Sequence, residues 1–122
     1  MADPGREGQR FPKSLRLTRR AEFVRVQDTG RKAAADPLLG LALPNALGRT
    51  RLGITVSKKV GNAVVRARVR RHLRELFRTR SSELPRGIDL VLVARNSAKD
   101  ADHAELARAF GAVAARMRSL FK

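Results

Sequence analysis

The sequence contains no cysteine, no tryptophan and no tyrosine, and only two histidines. Without cysteine there is neither a disulfide framework nor a thiolate zinc site, which fits a reducing compartment. His72 and His103 lack the companions that a metal site or a nucleophile triad requires. Asp100, Asp102 and Glu105 form one acidic cluster, but it stands ahead of a helix, where capping is its natural role. There is no glycine loop of the nucleotide-hydrolysing kind, so the chain carries no catalytic constellation of its own. No apolar run approaches the roughly 20 residues needed to span a bilayer. Residues Met1 to Arg10 are polar and broken by Gly and Pro, so the chain reads as soluble and not exported. Five phenylalanines are the whole aromatic complement, which leaves little capacity to stack on bases. Phe77, Phe110 and Phe121 fall on or near apolar stripes, and Phe11 lies in the N-terminal arm. Phe23 alone is a stacking platform, with a core role as its alternative.

What the sequence has in excess is positive charge: 27 Lys and Arg against 11 Asp and Glu, a net +16. Segment 49–80 holds 11 of the basic residues and a single acid, Glu75. The charge is a local patch, and its counterpart is a polyanion: nucleic acid first, an anionic membrane surface second.

The chain of 122 residues fits one domain. Residues 1–14 read as a disordered arm, since Pro4, Gly5, Gly8 and Pro12 interrupt any period. Residues 15–122 read as a single domain, whose excess charge calls for a polyanion, nucleic acid first. Thr18 is the expected N-cap of a first helix through Ala21, Phe23, Val24 and Val26, ended by Gly30. Two short strands follow, over 31–36 and Leu38 to Leu43, then a turn at Pro44-Asn45. Arg51 to Ser57 alternates as a strand: Leu52, Ile54 and Val56 turn one way, Gly53, Thr55 and Ser57 the other. That second face is small and polar, with room for a ligand or another backbone. Asn62 caps a helix to about Arg78. Ile88 to Ala94 is a nearly continuous apolar strand, expected at the centre of the sheet. A last helix runs from about Asp102 to Phe121. Strand, helix, strand over 51–94 implies a parallel pair and a βαβ crossover. The fold class is therefore α+β, a sandwich of three helices on one mixed sheet of about four strands, in the order α-β-β-β-α-β-α.

On the helix after Asn62, Val65, Val69, Leu73, Leu76 and Phe77 share one stripe about 120° wide. Arg66, Arg68, Arg70, Arg71, Arg74 and Arg78 occupy the rest. Like charges four residues apart repel, and cations in the first turns oppose the helix dipole. A bound phosphate reverses both penalties, because free N–H groups near Asn62 and paired guanidinium donors converge on it. The bland reading is a solvated charged face; its one-sidedness argues against that.

The run Lys58-Lys59-Val60-Gly61-Asn62-Ala63-Val64-Val65-Arg66-Ala67-Arg68-Val69-Arg70-Arg71 resembles the signature of the protein subunit of bacterial ribonuclease P. The likeness extends to Leu15-Arg16-Leu17 and Phe23 upstream, to the strand from Arg51, and to Asp89 through Arg95, and so covers about residues 13–121. It implies a cofactor protein for a catalytic RNA, in a Mg²⁺-dependent holoenzyme that removes the 5′ leader of precursor tRNA in the cytoplasm. The RNA carries the chemistry; neither a membrane nor an obligate protein partner is implied. By similarity Lys58, Lys59, Asn62, Arg66, Arg68, Arg70 and Arg71, with Arg74 in the same arginine row, contact the RNA subunit. Phe23, Thr55 and Ser57 match positions of the cleft that holds the leader, and Leu41, or Leu39 in the other register, stands where an aromatic is common. The resemblance also implies a left-handed βαβ crossover, against the general right-handed rule. Three positions depart from the family pattern: Ala67 replaces an asparagine, Gln27 an aromatic, and the second strand offers leucine. Leader stacking is accordingly expected to be weak and phosphate contacts strong. The alternative function is a ribosomal or ribosome-assembly protein that uses the same helix on another folded RNA.

Overall fold

A computed structural model describes residues 12–122. Its elements run α1 (Arg20–Thr29), β1 (Arg31–Ala35), β2 (Leu38–Pro44), β3 (Arg51–Val56), α2 (Ala63–Arg80), β4 (Ile88–Ala94) and α3 (His103–Leu120). The strands form one sheet in the order β1-β2-β4-β3. β2 is antiparallel to β1 and β4, and β3 is parallel to β4. A parallel neighbour requires a long return, and α2 supplies it. The mixed four-stranded sheet, the element order and the central place of β4 agree with the sequence expectation. Three short 3-10 turns, Lys13–Leu15, Ser81–Glu83 and Asn96–Asp100, add to it. Of the arm expected over 1–14, residues 1–11, Phe11 among them, lie outside the described residues.

Alternation along the strands divides the core in two. Leu38, Leu52, Val56, Leu90 and Leu92 face α2 and α3, and the expected stripe of α2 meets them with Val69, Leu73, Leu76 and Phe77 buried and Val65 packed at the edge. Among the described residues the other face is covered by α1 and the segment before it, where Leu17, Val26, Leu41 and Val91 form a smaller cluster. Each fully buried aliphatic side chain contributes about 1.5–3 kcal/mol, so α1 is held by much less apolar burial than α2.

Polar contacts supply part of the difference. The N-cap of α1 is Arg19 and not Thr18. Leu17 N–H donates to the Leu52 carbonyl at 2.9 Å, which keeps the chain extended one residue longer than expected. Glu22 then reaches back, accepting from the Thr18 and Arg19 N–H groups at 3.3 and 3.2 Å. Arg51 bridges Glu22, at 3.1 Å, to Asp89, at 2.7 Å. Asn45 completes the cluster with a bond to Asp89 Oδ1 at 2.9 Å.

Candidate nucleic-acid interface

The register of the sheet defines what α1 leaves uncovered. Leu41, Val91 and Gly53 lie in one cross-strand row, and Leu39, Val93 and Thr55 in the next. The first row lies beneath α1: Leu41 is only 3% exposed. Gly53 receives the Phe23 ring so closely that a Cβ there would lie 2.6 Å from Phe23 Cε1. The small strand face foreseen from sequence thus admits an aromatic ring. The second row is half-buried in all three strands, so Leu39, not Leu41, is the leucine of β2 that remains accessible beside Thr55. Leu41, expected to line the leader cleft, is buried in the core that seats α1. Ser57 is exposed just beyond the end of β3.

β3 is an edge strand, and a cleft of about 250 Å³ runs along it. Its walls are Arg16, Leu17 and Thr18, then Phe23, then Leu52 to Ile54, and from α2 the side chains of Arg70 and Arg74. The arginine row of α2 therefore reaches round the sheet edge to the face where Phe23 lies. From sequence, Phe23 and these arginines are expected on different ligands; the structure puts them on one cavity. Arg16 was not foreseen as a lining residue, although its pairing with Leu52 across the edge places it there.

The turn before α2 presents Lys58 and Lys59 outward because Val60, fully buried, plugs the turn into the core. Asn62 caps α2 as expected, accepting from the Val65 N–H at 3.0 Å. Val64 is 78% exposed, and Ala67 is exposed one turn on, so the departure at Ala67 enlarges an apolar spot among the arginines. The arginines themselves divide by use. Arg71 and Arg74 are exposed, and Arg70 is half-buried at the cleft. Arg66 lies partly against its own turn, its Nε donating to the Gly61 carbonyl at 3.2 Å. Arg78 is paired with Glu75. Arg68 donates to the Lys99 and Ala101 carbonyls at 2.6 and 3.1 Å, which ties α2 to the turn before α3. Arg68, expected among the RNA-contacting side chains, thus also ties two elements together.

Beside that tie His72 and His103 meet, Nδ1 to Nδ1, at 2.8 Å. They are 31 residues apart, and only the packing of α3 on α2 could reveal the contact. Burial lowers the His72 pKa, and the positive surroundings of His103, Arg68 and Arg71 lower it further. Burial pushes the Asp89 carboxyl up, but hydrogen bonds from Arg51 and Asn45, with the charges of Arg51 and Arg25, outweigh it and hold the group below its ordinary value.

Both shifts make the folded state bind fewer protons than the unfolded chain, so both remove stability as pH falls. The His72 loss begins below about pH 6.5, its unfolded value, and levels off once the folded imidazole is protonated. The Asp89 contribution is complete above about pH 4 and disappears as pH falls through its depressed folded value. Urea midpoints measured from pH 8 to pH 3 are expected to fall in two steps. His72→Gln should remove the upper step and Asp89→Asn part of the lower, to which Glu22, Glu75 and Glu83, also held low by arginine partners, contribute; a profile unchanged by Asp89→Asn would show that its ion pair is not responsible.

Among the described residues no group of three or more His, Asp or Glu could hold a metal ion. The carboxylates nearest the basic face are already engaged: Glu22 and Asp89 by Arg51, Glu75 by Arg78, Glu83 by Arg80. Asp102 accepts from the Glu105 N–H at 2.8 Å as the cap of α3. These residues do not fit a resident Mg²⁺. No helix among the described residues is long and apolar enough to cross a membrane. What the surface can do is bind a phosphate chain along an edge strand, beside a limited apolar floor.

Comparison with known proteins converges on one family. The family model for ribonuclease P matches residues 11–118. A ribonuclease P protein component of Gluconacetobacter diazotrophicus is 50% identical over 97 residues, spanning 75% of this chain and 80% of its own. One from Streptomyces griseus is 43% identical over 117 residues, spanning 88% and 94%. The solved ribonuclease P protein of Staphylococcus aureus superposes with a TM-score of 0.79 at 31% identity, over 90% of this chain and 100% of that one.

Proposed function

The chain belongs to the ribonuclease P protein family, and from that premise we propose that it is the protein subunit of the tRNA-processing endoribonuclease. In this reading it binds a catalytic RNA subunit through the turn at Lys58 and Lys59 and the exposed face of α2. The 5′ leader of precursor tRNA lies along the β3 edge, beside Phe23 and Thr55. The observation that carries the reading is the convergence of Phe23, Arg70 and Arg74 on one cleft. An aromatic and two guanidiniums on an edge strand suit a single strand, which offers both phosphates and unpaired bases.

The chain contributes position and charge and no reacting group. Phosphates of the leader approach Arg70 and Arg74, and the N–H groups of the first turn of α2 point at a further anion. Neutralising phosphates on both RNAs lowers the repulsion between substrate and RNA subunit, which a high concentration of divalent cations would otherwise have to screen. The Mg²⁺ of the holoenzyme is then assigned to the RNA, since the described residues offer no carboxylate set for it.

Reconstitution tests the reading directly. The protein alone should leave precursor tRNA uncut and should accelerate a cognate RNA subunit most at low Mg²⁺; no gain at any Mg²⁺ concentration would end the proposal. In the same assay Phe23→Ala should weaken binding of leader-bearing substrate by about five- to tenfold, within the range for one aromatic–base stack, and leave mature tRNA little changed. Equal loss on both would confine Phe23 to the core. Crosslinks dominated by ribosomal RNA would favour the ribosome-assembly alternative.

A further inference from the structure

His72 of α2 and His103 of α3 lie on the basic surface and take no part in the roles assigned above. Their Nδ1 atoms share a hydrogen bond at 2.8 Å, which fixes the two rings with their centroids 4.8 Å apart. Each ring keeps its Nε2, and neither Nε2 bonds to any described residue. Among the described residues no buried side-chain nitrogen lacks a partner, so the Nε2 of half-buried His72 meets solvent, while His103 is exposed. Arg71, also exposed, precedes His72 in the chain, and Arg68 stands one turn before it. At 3.6 residues per turn, His72 lies about 160° round α2 from both Arg70 and Arg74. The pair therefore occupies the flank of α2 turned away from the cleft that those arginines line.

A hydrogen bond between two Nδ1 atoms needs one donor and one acceptor, which sets the tautomers of the neutral pair. The donor ring carries its hydrogen on Nδ1 and turns a lone pair outward at Nε2. The acceptor ring carries its hydrogen on Nε2 and donates outward. A phosphate, which only accepts, thus meets one donor and one repelling lone pair. One added proton goes to the outward lone pair: both Nε2 atoms then donate, the pair gains a positive charge, and the Nδ1 contact persists. A second proton would set two N–H groups face to face at 2.8 Å, so the contact admits one proton and no more. We propose that the His72–His103 pair is a contact for a phosphate of the RNA subunit and takes up one proton when that RNA binds.

The charged surroundings suit that exchange. α2 brings Arg68 and Arg71 to the pair, with Glu75 held by Arg78 one turn on. The turn before α3 brings Lys99 and Asp100, both exposed. α3 adds its cap Asp102, which accepts from the Glu105 N–H, then Glu105 itself and Arg108. Without RNA, burial and the charges of His103, Arg68 and Arg71 hold the His72 imidazole below its ordinary value, so this ring is neutral at pH 7. A phosphate seated on Arg71 brings the opposite charge and favours the protonated pair. Affinity then rises as pH falls, because the complex holds more protons than its separated parts. A leader in the cleft lies on the opposite flank of α2, which assigns the phosphate to the RNA subunit. This proposal rests on the ribonuclease P reading.

Calorimetry of the full-length protein with its cognate RNA subunit, in two buffers of different ionisation enthalpy, measures the exchange without any variant. Net uptake of up to about one proton per complex is expected near pH 6.5. Affinity should rise about tenfold from pH 8 to pH 6, the factor for one unit of pKa displacement by an adjoining opposite charge. The double replacement His72→Gln with His103→Gln keeps two polar side chains that cannot take the proton. Its uptake should vanish and its pH profile flatten, with affinity at pH 8 nearly unchanged. His103→Lys, at an exposed position, supplies a permanent charge. It should bind at pH 8 about as tightly as the unaltered protein does at pH 6, a gain that a purely structural contact between α2 and α3 would not produce. Melts at each pH check that the variants are folded. No uptake by the unaltered protein overturns the site, as does uptake that persists in the double variant or a pH effect seen only with precursor tRNA. The salt slope at pH 8 is recorded in parallel. A steep slope without a pH effect removes the histidine site alone; failure to bind the RNA subunit removes the ribonuclease P reading and the site with it.

Discussion

Arg51→Ala is expected to lower the unfolding free energy by about 3 kcal/mol, the low end for removing one partner of a buried ion pair. For a domain of this size that is a fall in Tm of about 10 °C. The low end applies because the Arg51 side chain keeps 19% of its surface exposed while that of Asp89 keeps 5%. Without the guanidinium, Asp89 retains only Asn45, and its buried charge is left half-satisfied. Glu22 loses the same partner, so the strap between α1 and the sheet opens on the face where apolar burial is least. Arg51→Ala combined with Asp89→Ala should therefore cost less than the sum of the two single changes, because the double variant no longer leaves the buried Asp89 carboxylate without its guanidinium. Thermal and urea melts of the three variants check this. A loss below about 0.5 kcal/mol for Arg51→Ala, the usual surface value, would mean that Leu17, Phe23 and Val26 hold α1 without help.

Most of the fold was legible because it depends on local pattern. The stripe from Val65 to Phe77, the cap at Asn62 and the unbroken apolar run of β4 each report a period or a cap that neighbouring residues determine. Thr18 misled by one residue for a non-local reason: Leu17 is held extended by Leu52, far along the chain. The 3-10 turn at Asn96–Asp100 left no periodic signal, and its carbonyls became visible as partners only once Arg68 was seen to bond them.

The site was legible in kind and less so in detail. Helical phase placed Arg68, Arg70, Arg71, Arg74 and Arg78 off the core stripe, but phase cannot distinguish an arginine that meets solvent from one that meets another element. Arg68 and Arg74 look alike in sequence; packing of α3 against α2 gives Arg68 two carbonyls and leaves Arg74 at the cleft. Leu39 and Leu41 share a face of β2, and only the position of α1 decides which is covered. The two histidines were read as isolated because their contact spans 31 residues.

That division of the arginines sets the largest expected effect on binding. Replacing Arg66, Arg70 and Arg74 together by alanine should lower the slope of log affinity against log salt by about 2–3, at about 0.7–0.9 for each phosphate no longer neutralised. At physiological salt the loss is about two orders of magnitude in affinity, shrinking towards nothing near 1 M. Folding should be preserved, because Arg66 and Arg70 are only half-buried, Arg74 is exposed, and none of the three belongs to an ion pair among the described residues. Relief of like-charge repulsion along the row should even raise the melting temperature slightly in the absence of RNA. Arg68→Ala is the contrasting control. It frees the carbonyls of Lys99 and Ala101 and should lower stability while leaving the salt slope nearly unchanged. Titration of RNA binding across a salt series, with melts of the same variants, separates the two roles. An unchanged slope in the triple variant would show that the row is merely solvated, and a steep fall in slope for Arg68→Ala would return that residue to the interface.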